Sequence, residues 1–214
     1  MTDGLICIRG RRMANQERVG LSGIVLAGGQ SQRMGRNKAL MLLEGQTLIA
    51  RVLDRLSPLC DELIISTNDV EPYADLPAHV VPDVFPVGCA LSGIHAGLAA
   101  MRNERAVVVA CDMPFLSRPL LRYMTVVSSG HDVVVPRMGG FYEALHAVYS
   151  VRCVEPIARL LAEGPRRVID FYPQVRVREV TEDEVRLFDA ELSFFNVNTS
   201  EEWVEVQRLV SRKL

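Results

Sequence analysis

The chain has 214 residues, which is enough for one domain with a buried core. Its 24 Lys and Arg residues nearly balance its 26 Asp and Glu residues. The resulting formal charge of −2 argues against a nucleic-acid or anionic-membrane surface, because either would need a basic excess. Hydrophobic residues make up 49% of the chain, a proportion that excludes disorder of its bulk. No apolar run approaches the roughly 18 residues that span a bilayer.

The cysteines and histidines show no pattern of a disulfide framework or a zinc site. There are five cysteines, an odd number, and none lies close to another in sequence: Cys7, Cys60, Cys89, Cys111 and Cys153. The four histidines lack the i, i+4 spacing of metal ligands. We therefore expect a cytoplasmic protein with reduced thiols and no transition-metal site.

The first twenty residues are polar and lack apolar periodicity, and they precede the first predicted strand. We expect residues 1–20 to form a flexible N-terminal extension, with Met13 as an alternative start. No repeat or Pro/Gly-rich linker follows. Residues 21–214 are therefore expected to form a single domain.

Short β-branched runs then alternate with helical patterns along the chain. Strands are predicted at 23–27, 62–67, 106–110, 132–136, 143–150 and 175–180. Helices are predicted at 47–59, 92–101, 118–127 and 151–163, and a last helix begins near Thr199, which has capping-box spacing to Glu202. This alternation predicts a three-layer α/β fold with a mostly parallel sheet. Ligands on such sheets bind at the carboxyl ends of the strands, after residues 27, 67 and 110.

The loop after the first strand, LAGGQSQRMGRNKAL at 26–40, has the composition of a phosphate-binding loop. Its glycines allow close backbone approach, and Arg33, Arg36 and Lys38 supply positive charge. Neither the P-loop nor the G-x-G-x-x-G spacing is present. Lys38 is one of only two lysines among 24 basic residues, which suggests that its compact ammonium has a specific role.

The pattern LAGG-x-S-x-RMG-x-x-KA resembles the opening signature of the molybdenum cofactor guanylyltransferases, the MobA family. These belong to the Rossmann-like nucleotidyltransferases of the nucleotide-diphospho-sugar transferase type. The resemblance implies transfer of GMP from GTP to the terminal phosphate of molybdopterin, with Mg²⁺ and release of pyrophosphate. We also expect a monomer that contacts cofactor-delivering or molybdoenzyme partners transiently, and, from its charge, one that binds neither nucleic acid nor membrane.

The resemblance assigns roles to residues in several segments. Arg33 and Lys38 are implied as catalytic residues that hold the triphosphate. Asp112, in a CDMP motif after the strand at 106–110, is implied as the Mg²⁺ ligand, although on its own it reads as a turn or N-cap residue. The implied GTP-binding residues are Leu26, Ala27, Gly28, Lys38, Asn68, Asp83 and Asp112.

Two further segments resemble the family with departures. In GCALSGIHAGL at 88–98, Cys89 and Ala90 replace the Gly-Pro of the family, and His95 reads as a packed or solvated residue. In SFFNVNTSEEW at 193–203, Asn196 and Asn198 are implied to lie near the metal or the pterin phosphate. Their alternative role is to support the start of a helix.

Two alternative functions remain open from the sequence. A cytidylyltransferase of the same fold, directed at molybdopterin or at a sugar, is the nearer one, and Gly28-Gly29 favours guanine because the cytidine branch tends to carry LAAG. A catalytically silent nucleotide-binding module is the other. Retention of Lys38 and Asp112 argues against it.

Overall fold

The computed structural model describes residues 20–28 and 37–211. The predicted extension 1–20 lies, except for Gly20, outside the described residues, and so does Arg33. None of the helices in the described ranges is long and apolar enough to cross a membrane.

The described residues form ten β-strands and six α-helices. The strands are β1 (Leu21–Leu26), β2 (Leu42–Leu43), β3 (Gln46–Thr47), β4 (Glu62–Ser66), β5 (His79–Val81), β6 (Arg105–Ala110), β7 (Val133–Met138), β8 (Phe141–Tyr142), β9 (His146–Ser150) and β10 (Val177–Val180). The helices are α1 (Leu48–Leu56), α2 (Ala90–Ala100), α3 (Arg118–Val126), α4 (Val154–Ala162), α5 (Glu182–Arg186) and α6 (Ser200–Ser211). Short 3₁₀ helices cover Lys38–Leu40, Glu71–Tyr73, Val151–Cys153, Val168–Gln174 and Glu191–Phe194.

The main sheet has the strand order β10-β7-β9-β6-β1-β4-β5, with β8 paired to β7. Strands β6, β1, β4 and β5 are mutually parallel. Strand β9 pairs antiparallel with both β6 and β7, so it runs against the rest of the path. The sheet is therefore mostly parallel, as predicted, with one reversed strand near its centre.

Helices cover both faces of this sheet, so the predicted three-layer α/β architecture is confirmed. Neighbouring residues of a strand point to opposite faces: Val25 belongs to the core shared with α1 and α3, and Ile24 to the core shared with α2 and α4. All of β1 is buried, as its continuous apolar sequence predicts. The close packing of α2 on β1 depends on Gly97, where a Cβ would lie 2.6 Å from Ile24 Cγ2.

A smaller apolar cluster connects the C-terminus to the β2–β3 hairpin. It contains Leu43, Leu48, Val197, Val206 and Val210. This cluster holds the start of α6 against the segment that follows Lys38–Leu40, and thereby brings residues 196–198 to the same edge of the sheet as Lys38.

The predicted strands and helices are present with small shifts of their ends. Helix α2 begins at Ala90, two residues before its predicted start, and the predicted helix at 151–163 is divided into a 3₁₀ turn and α4. The capping box is confirmed: Glu202 N donates to Thr199 Oγ1 at 3.1 Å, and Thr199 N donates to Glu202 Oε2 at 2.8 Å. The sequence patterns did not predict strands β2, β3, β5 and β8 or helix α5, each of which has five residues or fewer.

Candidate active site

A cavity of about 570 Å³ lies at the carboxyl ends of β1 and β6. Residues from six separate segments line it: Leu26, Ala27, Gly28, Asn37, Lys38, Ala39, Ala90, Ala110, Cys111, Asp112, Met113, Tyr142, Glu143, Ala144, Leu145, Asn196 and Asn198. The cavity thus brings together most of the residues that the sequence indicated as a nucleotide and metal site. Asn68 and Asp83 do not line it.

The reversed direction of β9 explains why residues 142–145 reach this cavity. Because β9 runs against β6, its first residue, His146, pairs with Val109 near the carboxyl end of β6. The Ala110 N–H also donates to Leu145 O at 3.2 Å. The residues that precede β9 therefore lie at the same edge as the residues that follow β6.

Lys38 is the first residue of a 3₁₀ turn that Asn37 caps. The Asn37 side chain accepts a hydrogen bond from Ala39 N at 3.1 Å, and its amide donates to Tyr73 Oη at 2.9 Å. With its backbone fixed in this way, Lys38 extends along the cavity and donates from Nζ to Asn198 Oδ1 at 3.1 Å. The ammonium is thus held beside the residues that follow β6.

Asp112 lies two residues beyond β6, where the sequence placed it. Its carbonyl accepts a hydrogen bond from Val197 N at 3.1 Å, which joins this turn to the segment that carries Asn196 and Asn198. Burial raises the pKa of the Asp112 carboxyl, and the positive charge of Lys38 partly opposes that rise. Burial makes ionisation of this carboxyl unfavourable, and the Lys38 ammonium offsets only part of that cost. A bound cation, or a ligand that carries one, would therefore stabilise the carboxylate further.

The thiol of Cys111, the residue next to Asp112, is not a nucleophile. Burial raises the pKa of its thiol to about 12, and the negative charge of Asp112 contributes to the rise. The thiol therefore stays protonated near neutral pH, and no thiolate nucleophile is present at this position.

Asn68 and Asp83 form a separate pair at the ends of β4 and β5, on the other side of β1. Asp83 N donates to Asn68 Oδ1 at 2.9 Å, and Asn68 Nδ2 donates to Asp83 Oδ2 at 3.3 Å. Gly28 lies between this pair and the cavity. It lines the cavity, and a Cβ built on it would lie 3.8 Å from the Cα of Thr67, the residue before Asn68. The pair and the cavity therefore form neighbouring parts of one sheet edge.

The segment that departs from the family, Cys89-Ala90, forms the start of α2. Gly88 has a φ of +60°, and Cys89 takes the extended N-cap conformation without a side-chain capping bond. His95 is buried in this helix, with its ring 5.0 Å from that of Phe85 in edge-to-face contact. Its environment is that of a packed residue.

A buried contact that was not predicted from the sequence fixes the segment that leads to Asn196 and Asn198. The His146 Nε2 atom lies 2.6 Å from Ser193 Oγ, which also accepts a hydrogen bond from Ser117 N at 2.9 Å. The His146 ring packs on Phe194 at 4.7 Å. This buried link lies three residues before Asn196, and only the fold brings its two halves together.

Glu143 is a second acidic residue of the cavity that the sequence did not indicate. Among the described residues that line the cavity, Asp112 and Glu143 are the acidic ones. The described residues contain no group of three or more His, Cys, Asp or Glu side chains that could hold a metal ion. A metal bound here would therefore need most of its ligands from a substrate and from water.

Comparisons with known proteins identify the family of this chain. Residues 23–177 match the family model described as the MobA-like NTP transferase domain. A probable molybdenum cofactor guanylyltransferase of Pelotomaculum thermopropionicum is 45% identical over 187 residues, which cover 87% of this chain and 91% of that protein. A molybdenum cofactor guanylyltransferase of Desulfosudis oleivorans is 41% identical over 185 residues, covering 85% of this chain and 92% of the relative.

A solved structure extends the agreement to the fold. The molybdopterin-guanine dinucleotide biosynthesis protein A of Archaeoglobus fulgidus superposes with a TM-score of 0.78 at 27% identity. The match covers 89% of this chain and 99% of that one. The resemblance first seen in the glycine-rich loop thus extends over most of the chain, and the chain belongs to the family of MobA-like NTP transferases.

Proposed function

We propose that the chain transfers the GMP group of GTP to the terminal phosphate of molybdopterin. An oxygen of that phosphate attacks the α-phosphorus of GTP and forms a new phosphoanhydride bond. The bond from the α-phosphorus to the β-phosphate oxygen breaks, and pyrophosphate leaves. The single observation that carries the proposal is that Lys38 and Asp112 share one cavity beside Gly28, in a chain of this family.

Charge placement accounts for most of what the residues contribute to this reaction. The Lys38 ammonium is positioned to hold phosphate oxygens of GTP, and Arg33 is proposed to assist it from the loop that follows Gly28. The attacking phosphate is already an anion, so the reaction needs no general base. The protonated thiol of Cys111 and the packed ring of His95 are consistent with that.

The donor set fits one Mg²⁺ ion that is held mainly by the substrate. Asp112 offers a hard carboxylate oxygen, and a phosphate-rich substrate with water supplies the remaining ligands that Mg²⁺ prefers. When bound, the ion would neutralise negative charge on the triphosphate. Asp112 would hold it together with the substrate, and the ion would serve as a counter-ion for the partly buried carboxylate.

Asn68 and Asp83 are proposed to recognise the guanine base. Their mutual hydrogen bonds leave carboxylate and amide groups at the ends of β4 and β5, on the side of Gly28 away from Asp112. Guanine presents N–H donors and an O6 acceptor, which such groups can pair with. Asn196 and Asn198, on the other side, are proposed to lie near the phosphate of the pterin.

The test measures nucleotide choice and turnover together. Thermal shift with GTP, CTP, ATP and UTP in the presence of Mg²⁺ should show selective stabilisation by GTP, of about 2.7 kcal/mol at a hundredfold excess over Kd. Incubation with GTP and molybdopterin should then release pyrophosphate and yield the guanine dinucleotide. A response selective for CTP would instead establish the cytidylyltransferase alternative, and binding without pyrophosphate release would establish the silent module.

A further inference from the structure

Glu143 lines the cavity, and its carboxylate has no partner within the described part of the chain. Its backbone is fixed on both sides: Glu143 N donates to Pro136 O at 2.9 Å, and Glu143 O accepts from His146 N at 2.9 Å. Its side chain makes neither a hydrogen bond nor an ion pair with another described residue, although it is half-buried. A residue that lines the cavity therefore carries a hydrogen-bond acceptor that no described residue uses.

The neighbouring residue, Tyr142, is held in place by several contacts of its side chain. The Tyr142 hydroxyl donates to Glu179, and its ring contacts the Tyr172 ring edge-to-face at 5.4 Å. The Arg137 guanidinium lies over the same ring at 5.5 Å from its centroid. The backbone from which the Glu143 side chain extends is therefore well fixed.

The order of strands places Glu143 on the opposite side of the cavity from Asn68 and Asp83. Asn68 and Asp83 follow β4 and β5, on one side of β1, whereas Glu143 precedes β9, on the far side of β6. Lys38 and Asp112, which follow β1 and β6, lie between these two sides. If the guanine base occupies the side of Asn68, Glu143 faces the second substrate.

The chemistry of a carboxylate selects which part of that substrate it can bind. Carboxylate oxygens repel the phosphate and the dithiolene sulfurs of molybdopterin, which carry negative charge. The pterin ring is different, because its 2-amino group and adjacent N3–H form a pair of parallel donors. A carboxylate can accept both at once, as it does from a guanidinium fork.

We propose that Glu143 determines acceptor specificity by accepting hydrogen bonds from the 2-amino and N3–H groups of the pterin ring. This inference rests on the proposed function, since it takes molybdopterin as the second substrate. Burial raises the pKa of the Glu143 carboxyl, because the carboxylate is partly removed from water. Hydrogen-bond donors of a ligand would replace that lost hydration.

The test compares binding of two stable fluorescent probes in the absence of GTP. One is 6-hydroxymethylpterin phosphate, and the other is the corresponding lumazine, which carries a 2-oxo group in place of the 2-amino group. The wild-type chain should bind the pterin at least tenfold more tightly than the lumazine. In Glu143→Gln the preference should fall to threefold or less, or reverse, because the amide offers one donor and one acceptor and thus matches the 2-oxo and N3–H groups of lumazine.

Two further variants keep the test specific. Glu143→Asp retains both acceptor oxygens and should keep the pterin preference with weaker affinity. Glu155→Gln, at an exposed position on α4 away from the cavity, should bind both probes as the wild type does. The melting temperature of each variant confirms that it is folded before its probe preference is interpreted.

Each outcome decides the proposal. Equal binding of the two probes by the wild type, or an unchanged preference in Glu143→Gln, would overturn it. A higher Mg²⁺ requirement for GTP binding in Glu143→Gln would also overturn it, by assigning Glu143 to the metal. Failure of the proposed function has a different signature: no dinucleotide forms from GTP and molybdopterin, whatever the result with the probes.

Discussion

The Nζ atom of Lys38 donates a hydrogen bond of 3.1 Å to the Oδ1 atom of Asn198, although the two residues are 160 positions apart. The bond connects the end of the glycine-rich loop to the start of α6, and both residues line the cavity that contains Asp112. It holds a flexible cation in one direction before any substrate arrives. Such preorganisation lowers the cost of stabilising charge in a transition state.

Lys38→Arg should lower kcat/KM at least tenfold while leaving the melting temperature unchanged. The charge is kept, but the broad planar guanidinium cannot occupy the place of a compact ammonium beside Asn198 and Asp112. Steady-state kinetics with GTP measures the effect. Arg122→Lys, on the exposed face of α3, is the matched control and should behave as the wild type does. Near-normal kcat/KM in Lys38→Arg would mean that Lys38 is an ordinary surface cation.

Asn198→Ala tests whether the bond itself matters. Removing the acceptor frees the ammonium, so we expect kcat/KM to fall about tenfold. In a double-mutant cycle, adding Lys38→Ala to Asn198→Ala should cost less than Lys38→Ala alone, with a coupling energy of roughly 0.5–3 kcal/mol. Fully additive effects would show that the two side chains act independently.

Asp112→Asn should preserve the fold and abolish most of the activity. Burial raises the pKa of the Asp112 carboxyl in the folded chain, so its contribution to stability is present at low pH and is lost as pH rises through the folded-state pKa. At neutral pH the ionised group therefore disfavours folding, and a neutral amide should leave the melting temperature equal or higher. Loss of the charge that helps to hold the metal should lower kcat by roughly 10²-fold or more.

The measurement for Asp112 is a pair of melting curves with and without Mg²⁺ and GTP. The ligands together should raise the melting temperature of the wild type and of the control Asp75→Asn, whose position is exposed and outside the cavity. Mg²⁺ and GTP should raise the melting temperature of Asp112→Asn much less. If Asp112→Asn unfolds, or turns over normally at low Mg²⁺, Asp112 is a structural turn residue and the metal binds elsewhere.

His146 should make the fold sensitive to acid. Complete burial lowers its pKa from 6.5 to about 4, so the unfolded chain takes up a proton at a higher pH than the folded chain does. Stability is therefore lost as pH falls from about 6.5 toward 4, by about 3 kcal/mol at most. Denaturant unfolding at a series of pH values measures this loss.

His146→Gln should remove that part of the acid dependence, whatever it does to stability at pH 7. His79→Gln, at an exposed position of β5, controls for the loss of a histidine. Because His146 contacts Ser193 and Phe194, we also expect the KM for molybdopterin to rise in the wild type as the pH falls through this range. A wild type and His146→Gln with the same pH profile would contradict the assignment.

The parts of the fold that could be predicted from the sequence are those with strong local patterns. The runs at 23–27 and 106–110 are apolar throughout because the strands they form are buried on both faces. The hairpin at 42–47 and strand β5 contain too few residues to produce a periodic pattern. Their positions depend on packing with distant segments.

The candidate site divides in the same way. Asp112 could be indicated because its CDMP motif resembles that of the family, since its position after a strong strand pattern alone is equally typical of a turn residue. Lys38 could be indicated because it lies in the glycine-rich loop and is rare in this composition. Glu143 could not, since it reaches the cavity only because β9 runs opposite to β6. A strand has the same local sequence pattern in either direction, so its direction is set by tertiary pairing alone. The bonds of Asn68 with Asp83 are likewise a product of the fold.

Gly28→Ala tests the choice of base with little risk to the fold. A Cβ at this position would meet only ordinary contacts, 3.7 Å from Ser66 O and 3.8 Å from Thr67 Cα, so the melting temperature should stay close to that of the wild type. The added methyl group would narrow the space between the first loop and the strand end that leads to Asn68. A purine needs more of that space than a pyrimidine does.

We therefore expect the Kd for GTP to rise at least tenfold in Gly28→Ala and the Kd for CTP to change by threefold or less, both measured by calorimetry with Mg²⁺. The ratio of the two constants is the relevant quantity, because each nucleotide carries the same triphosphate and so controls for effects on phosphate binding. An equal loss for both nucleotides would place the effect of Gly28 at the phosphates. An equal affinity for both in the wild type would remove Gly28 as a determinant of the base and leave Asn68 and Asp83 to be tested in its place.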